Sequence, residues 1–222
     1  MPDPVNRAPV PQVDGRWHAR LPWQARCLDC GGVTGGPEDL CAACRGRLPW
    51  LDDAGRGTAP GLDRVVAAFR YAPPVDRWLP RFKFHRDLAA GRLLSQLMVA
   101  RLADCERPQA LVAIPLHRAR LRTRGYDQAL ELARPVARAL GLPLRRDLLR
   151  RVRATAPQSE LDAASRAGNL QGAFAACGPA LPSHVALVDD VMTTGATLQA
   201  AAEALRRAGV ARVEAWVCAR VL

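Results

Sequence analysis

Apolar residues along this chain follow two rhythms, and their alternation predicts the architecture. Short apolar runs of strand length occur at Arg64-Val-Val-Ala-Ala-Phe-Arg-Tyr71, at Ala110-Leu-Val-Ala-Ile114, over 184–189 and over 212–218 (RVEAWVC). They are nearly continuous rather than alternating, as in strands covered on both faces. Between them apolar positions recur at helical spacing. Residues 87–103 carry Leu88, Leu93, Leu94, Leu97, Met98 and Leu102 on such a repeat. Further helices are predicted over 126–140 and 195–208, with an amphipathic stretch at 75–82 after the break at Pro73-Pro74. Pro115 stops the second strand, Gly141 and Pro143 end one helix, and Gly209 ends another, as expected of these residue types. Strands separated by helices imply βαβ units, so the expected fold class is α/β with a mainly parallel sheet flanked by helices. Residues 144–172 are arginine-rich and poorly periodic.

The rest of the chain divides by composition. Residues 1–24 lack an apolar segment of secretory type and read as a disordered leader. Residues 25–50 hold a cysteine cluster, 51–62 (LDDAGRGTAPGL) form a Gly/Pro-rich linker, and 63–222 form the main domain. A chain of 222 residues suffices for one α/β domain and a small appendage. No apolar run approaches the ~18 residues of a membrane helix, so no membrane insertion and a cytoplasmic location are expected.

Cys27-Leu-Asp-Cys30 and Cys41-Ala-Ala-Cys44 are two C-x2-C knuckles. Two tight turns of this kind facing each other make a tetrahedral four-thiolate site, for which structural Zn²⁺ is the usual occupant. A redox pair would sit where a strand opens into a helix, a context missing here, and structural disulfides suit an oxidising compartment. Four thiolates leave zinc no open position for catalysis.

The densest chemistry lies in VALVDDVMTTGAT, residues 185–197. An apolar strand ends in Asp189 and Asp190, at the edge where parallel sheets bind ligands. Thr193, Thr194, Gly195, Ala196 and Thr197 then lead into a helix. Small residues let backbone N–H groups close on an anion, and the helix N-terminus adds partial positive charge. Strand-capping and helix-capping are the ordinary roles of such residues taken singly. The ordered combination suits a sugar phosphate, with the carboxylates on the ribose hydroxyls and the loop on the 5-phosphate.

The formal charge is +11, and all 32 basic residues are arginine except Lys83. Excess Ala, Leu and Pro alongside the arginine points equally to base composition, so charge alone does not specify nucleic acid. Within 115–170 the arginines outnumber the acids, yet Tyr126 is the only Tyr, Trp or Phe there, and single-strand binding normally uses several such rings. The loop after Ile114 gathers His117, Arg118, Arg120, Arg122 and Arg124, cations suited to an anionic leaving group. Lys83 offers a compact ammonium where a guanidinium would be planar.

VALVDDVMTTGAT closely resembles the 5-phosphoribosyl-1-pyrophosphate (PRPP) motif of type I phosphoribosyltransferases. Together with the cysteine knuckles, Arg81-Phe-Lys-Phe84, Ile114-Pro-Leu-His117, Arg124-Gly-Tyr-Asp-Gln128, Arg153, Gln158, Arg166, Asn169 and Gly172-Ala-Phe174, it is similar to the ComF/GntX family. The family's R-G-F-N-Q carries Asp127 here in place of Asn. The resemblance implies the type I phosphoribosyltransferase fold behind an N-terminal zinc ribbon. It also implies Mg²⁺ with PRPP, phosphoribosyl transfer to a nitrogen nucleophile, and a link to natural competence through single-stranded DNA or competence and helicase partners. In that scheme Asp189, Asp190 and Arg124 are catalytic, and Thr193–Thr197 bind the 5-phosphate. Pro115, Leu116, His117 and Lys83 meet the pyrophosphate. Residues 118–128, with Arg122, Gly125, Tyr126, Asp127 and Gln128, form a mobile flap. The alternative is a non-catalytic PRPP-sensing adaptor.

Overall fold

The computed structural model describes residues 26–35, 38–51, 56–153, 172–178 and 180–222. The expected leader 1–24 and the motif residues Gln158, Arg166 and Asn169 lie outside these residues. In chain order the strands are β1 (Arg56–Ala59), β2 (Leu62–Arg70), β3 (Ala110–Ala113), β4 (Leu149–Arg151), β5 (Phe174–Ala176), β6 (His184–Met192) and β7 (Arg212–Arg220). The helices are α1 (Ala42–Arg45), α2 (Val75–Phe84), α3 (Leu88–Leu102), α4 (Arg118–Arg124), α5 (Gln128–Leu140) and α6 (Ala196–Arg207).

The four apolar runs become β2, β3, β6 and β7, which lie parallel in a sheet of order β1-β2-β7-β6-β3. Two features depart from expectation. Part of the expected linker is β1, an antiparallel edge strand turned back on β2. It is short and carries no apolar run, because an edge strand can be held by backbone hydrogen bonds alone. The poorly periodic arginine-rich region contributes β4, paired antiparallel with β5 as a separate two-stranded sheet.

Successive side chains on a strand point to opposite faces, and the main sheet buries both. Val66, Ala68, Ala186, Val188, Trp216 and Cys218 share one core with residues of α2, α3, α5 and the cysteine knuckles. Val65, Ala67, Val185, Leu187, Ala215 and Val217 share the other with residues of α6, β4 and β5. The continuous apolar runs thus follow from two covered faces.

On the first face α2 crosses α3 closely enough that a Cβ on Gly91 would overlap the ring of Phe82. Phe82 is fully buried. Asp87 starts α3 by accepting from Ala90 N–H at 3.0 Å.

The knuckles dock on this same face. Cys27, Leu40, Cys44 and Leu48 belong to the core that contains Trp78 and Phe82, and Arg92 of α3 grips Asp39 through two hydrogen bonds of 2.7 and 2.8 Å. The four Sγ atoms all lie within 4.8 Å of one another. Cys30 and Cys41 are 3.8 Å apart, close to the edge of a tetrahedron with Zn–S of about 2.3 Å. The cluster is consistent with a zinc ribbon and compatible with structural zinc. Among the described residues no helix is long and apolar enough to cross a membrane.

Two stability outcomes are expected. Gly91→Ala gains roughly 1 kcal/mol of helix propensity but forces Phe82 aside at a cost of about 1–3 kcal/mol, so thermal unfolding should show a net fall in Tm. Removing zinc with a strong chelator, or replacing Cys30 by Ser, should lower Tm by at least about 10 °C. Elemental analysis should give one zinc per chain in the wild type. A zinc-independent Tm would remove the metal from the fold's stability.

Candidate active site at the carboxyl end of the sheet

The site begins with a mismatch in strand length. β3 pairs with β6 only from Ala110↔Val185 to Ala113↔Val188. Ile114 N–H still donates to the Val188 carbonyl at 2.9 Å, and then Pro115, which has no N–H, ends the ladder. β6 runs on through Met192, still paired with β7 at Val191↔Ala219 and Met192↔Arg220. Beyond Val188 its other edge has lost its partner, and a cleft of about 810 Å³ opens there.

Asp189 and Asp190 lie inside this unpartnered stretch, since β6 extends three residues beyond the expected end at 189. Strand alternation therefore sends the two carboxylates to opposite faces, although both reach the cavity wall. Asp190 is 6% exposed, and its Oδ2 lies 2.8 Å from Nζ of Lys83 at the end of α2. Its Oδ1 accepts from Val191 N–H at 2.7 Å. Asp189 Oδ1 accepts from Asp190 N–H at 2.9 Å. Burial, then the charge of Asp190, push the Asp189 carboxyl up to about 8 against the pull of Lys83. Burial would lower Lys83, but the Asp190 carboxylate outweighs it and holds the ammonium above its ordinary value.

Asp127 ties two elements together. Its Oδ1 caps α5 by accepting from Leu130 N–H at 3.1 Å, and its Oδ2 accepts from Leu116 N–H at 3.0 Å. Both oxygens face N–H donors, so the carboxylate pins loop 115–117 to the start of α5. Burial raises its pKa against those two donors. An asparagine would present an amide N–H₂ to one of them.

Of the residues singled out by sequence, Lys83, Leu116, Arg124, Asp127, Gln128, Asp189, Asp190 and Thr197 line the cavity. Gly125 and Tyr126 line an adjoining hollow of about 390 Å³. Pro115, His117, Arg122, Thr193, Thr194, Gly195 and Ala196 are outside the cavity lining. His117 instead caps α4, its Nδ1 accepting from Ala119 N–H at 3.3 Å. The segment expected to be a mobile flap is folded. It forms α4, closes at Gly125 with φ of 87°, and passes to α5 through Asp127. Lys83, expected at pyrophosphate, has Asp190 as its partner.

The loop after β6 turns into α6 through a left-handed glycine. Gly195 adopts φ of 79° at the N-terminus of α6, and a Cβ there would come within 2.7 Å of Met192 Cε. Thr193 and Thr194 are exposed.

Sequence reasoning gave no site role to Arg151, Phe84 or Arg86, all of which line the cavity together with Arg120 of the cation-rich loop after Ile114. Arg151 comes from β4, where burial and then the Arg120 charge lower its pKa against Asp189. A three-residue strand offers no periodicity by which to find it.

A phosphoribosyl transferase domain model matches residues 127–221. The chain is 31% identical over 221 residues to competence protein F of Haemophilus influenzae, covering 88% of this chain and 96% of that protein. It is 36% identical over 203 residues to DNA utilization protein YhgH of Salmonella typhi, covering 88% and 84%. It is 28% identical over 154 residues to competence protein ComFC of Streptococcus pneumoniae, covering 69% and 67%.

The Asp189 environment predicts a pH signature. A carboxyl raised to about 8 keeps in the folded state a proton that the unfolded chain has already lost above about 4. The wild type should therefore lose stability as pH rises through that window, by at most about 1.4 kcal/mol per unit. Asp189→Asn has no such proton, so its Tm relative to wild type should climb from pH 5 to 8 and then level off. A difference that does not vary with pH would contradict the assignment.

Proposed function

This chain belongs to the ComF family, and we propose on that basis that its cleft binds PRPP and transfers the phosphoribosyl group to a nitrogen nucleophile, in support of DNA uptake. The observation that carries the reading is a single cavity at the carboxyl end of parallel strands, with Asp189 and Asp190 on one wall and Arg120, Arg124 and Arg151 on others. A ribose diol and a pyrophosphate require those two kinds of wall a few ångströms apart.

In this arrangement Thr193–Thr197 hold the 5-phosphate through backbone N–H groups and the α6 N-terminus. Asp189 and Asp190 accept from the ribose hydroxyls, each from its own side of β6. Lys83, 2.8 Å from Asp190, adds positive charge beside the sugar. The loop at Leu116 and the cavity arginines face the pyrophosphate, with Asp127 as the positioning residue that fixes the loop. The nitrogen lone pair forms the C1–N bond as the C1–O bond breaks. The bonding pair leaves on pyrophosphate, and the nitrogen's proton passes to water at the cavity mouth. Arginines aimed at the leaving group stabilise its growing charge, an effect typically worth 10²–10³ in rate per donor.

Magnesium would enter on the pyrophosphate oxygens, where it would neutralise charge on the leaving group. Among the described residues the four cysteines are the one group of three or more side chains placed to hold an ion. Asp190 and Asp127 already have an ammonium or N–H partners, so the described residues supply no resident magnesium cage.

A second reading is favoured by the relatives' names, which speak of competence and DNA utilization rather than transfer. It is a PRPP-sensing adaptor that contacts single-stranded DNA or competence and helicase partners without turnover.

Calorimetric titration should show PRPP binding to the wild type with Mg²⁺ present. Lys83→Ala should weaken it at least tenfold, because a buried carboxylate is left unpaired beside an anionic ligand. Asp190→Ala should abolish nucleophile-dependent pyrophosphate release. Absence of PRPP binding would sink both readings; binding without turnover on any nitrogen acceptor would leave the adaptor.

A further inference from the structure

α2 is anchored in two places, and the two anchors belong to different parts of the molecule. Its last turn carries Lys83, whose Nζ lies 2.8 Å from Asp190 in the cleft. Its buried side chains, Val75, Trp78, Leu79 and Phe82, share one core with Cys27, Leu40, Cys44 and Leu48 of the ribbon. Phe82 directly precedes Lys83, and Trp78 lies about 7.5 Å back along the helix axis. A displacement of the buried face therefore reaches the ammonium within one or two turns.

Polar contacts repeat the connection. Arg47 Nη2 donates to Sγ of Cys44 at 3.1 Å and lies 3.9 Å from Asp29, inside the first knuckle. Asp29 lies 4.0 Å from Arg77 of α2. Arg92, the residue after Gly91 at the α2–α3 crossing, is the one gripped by Asp39. Exposed ion pairs add little energy singly. Their weight here is geometric, since they tie both helices of the pair to the knuckles.

α2 depends on such partners. It has 10 residues with Pro80 among them. Proline gives no N–H to the preceding turn, and isolated helices below ~12–15 residues are marginal in water. What α2 packs on thus sets its place. The ribbon is set in turn by its sulfurs, which lie within 4.8 Å of one another. Nothing strong holds four thiols together without a cation, and metal binding to such a cluster is folding free energy. When the knuckles part, Cys27 and Cys44 leave the core and α2 loses cover over Trp78 and Phe82. Lys83 then leaves Asp190, and the cleft presents two uncompensated carboxylates to an anionic ligand.

We propose that ribbon and cleft are coupled through α2: metal held by Cys27, Cys30, Cys41 and Cys44 keeps Lys83 on Asp190, so that zinc and a sugar phosphate each tighten the binding of the other. This adds regulation by metal supply to the PRPP reading and rests on that reading for the identity of the ligand. Linkage is reciprocal, so both affinities change by the same factor.

The test compares the full chain loaded with zinc and depleted of it. PRPP affinity is measured by calorimetry on both forms, and zinc affinity by competition with a chromogenic chelator, with and without Mg²⁺-saturated PRPP. Amide hydrogen exchange follows α2, with β7 as the reference. Lys83 is the sole lysine, so its acylation rate by an activated ester, read in one peptide by mass spectrometry, reports its contact with Asp190 without any ligand. Zinc depletion should weaken PRPP binding at least about fivefold, and PRPP should tighten zinc by the same factor. Lys83 acylation and α2 exchange should both accelerate severalfold while β7 stays protected. Arg92→Ala leaves the four thiols and the cleft residues in place and should shrink the coupling factor. Equal zinc affinity with and without PRPP, in a protein that binds PRPP, overturns the coupling and leaves the PRPP reading intact. Exchange that accelerates in β7 and α2 alike also overturns it, because the metal then holds the whole fold rather than α2. Absence of PRPP binding to the zinc-loaded protein overturns the PRPP reading, and the Lys83 acylation and α2 exchange rates then decide the link from ribbon to α2 on their own.

Discussion

Two neighbouring carboxylates on a strand that has outrun its partner set the terms for the rest of this molecule. Asp190 is almost wholly buried and Asp189 sits beside it, and an unpaired carboxylate in such a place costs several kcal/mol. Lys83 offsets part of that cost, but only if the end of α2 is held within reach of β6. The close α2–α3 crossing at Gly91 and Phe82 does this from one side, and Val75, Trp78 and Leu79 are buried beneath the same helix. The remaining charge is left on Asp189, which meets it by holding a proton near neutral pH. A site strained in this way accepts a ligand that brings hydroxyl donors to the acids and anions to the arginines.

The cysteine ribbon belongs to that same chain of dependence. Its buried thiols share a core with Trp78 and Phe82 of α2, and Asp39 clamps Arg92 of α3. Sequence spacing marked the four thiols as a structural staple but did not say what they fasten. The core answers that they brace the two helices carrying Lys83 and Gly91.

What could be read in advance was whatever depends on local pattern. The four parallel strands, the helices over α3, α5 and α6, the thiol knuckles and the acid–loop motif all announce themselves through periodicity or fixed spacing. Features decided by long-range partners stayed hidden. β1 is polar and short, and exists because β2 offers an edge. None of the residues of α4 is buried, so its sequence carries no apolar stripe by which a helix could be expected there. Lys83 was visible as an anomaly, but only the distance to Asp190 shows which charge it answers. Phe84 lies two residues past the expected amphipathic stretch, and only the fold places it on the cavity wall.

The arginine excess also resolves once partners are known. Many of the guanidiniums are bound to acids far from the cleft: Arg212 bridges Glu106 and the fully buried Glu214, Arg206 reaches Asp63, and Arg145 pairs with Asp147. Those pairs are consistent with a compositional bias spent on surface and sheet-edge contacts. The cations at the cleft differ in kind. Arg120 and Arg124 of α4 and Arg151 of β4 line the same cavity as the acidic strand end, and Lys83 is the sole lysine of the chain. Composition can multiply arginines, but it cannot bring three of them and a lone ammonium around the same two carboxylates. That convergence is a property of the fold, and it separates the functional part of a +11 charge from the part that only decorates the surface.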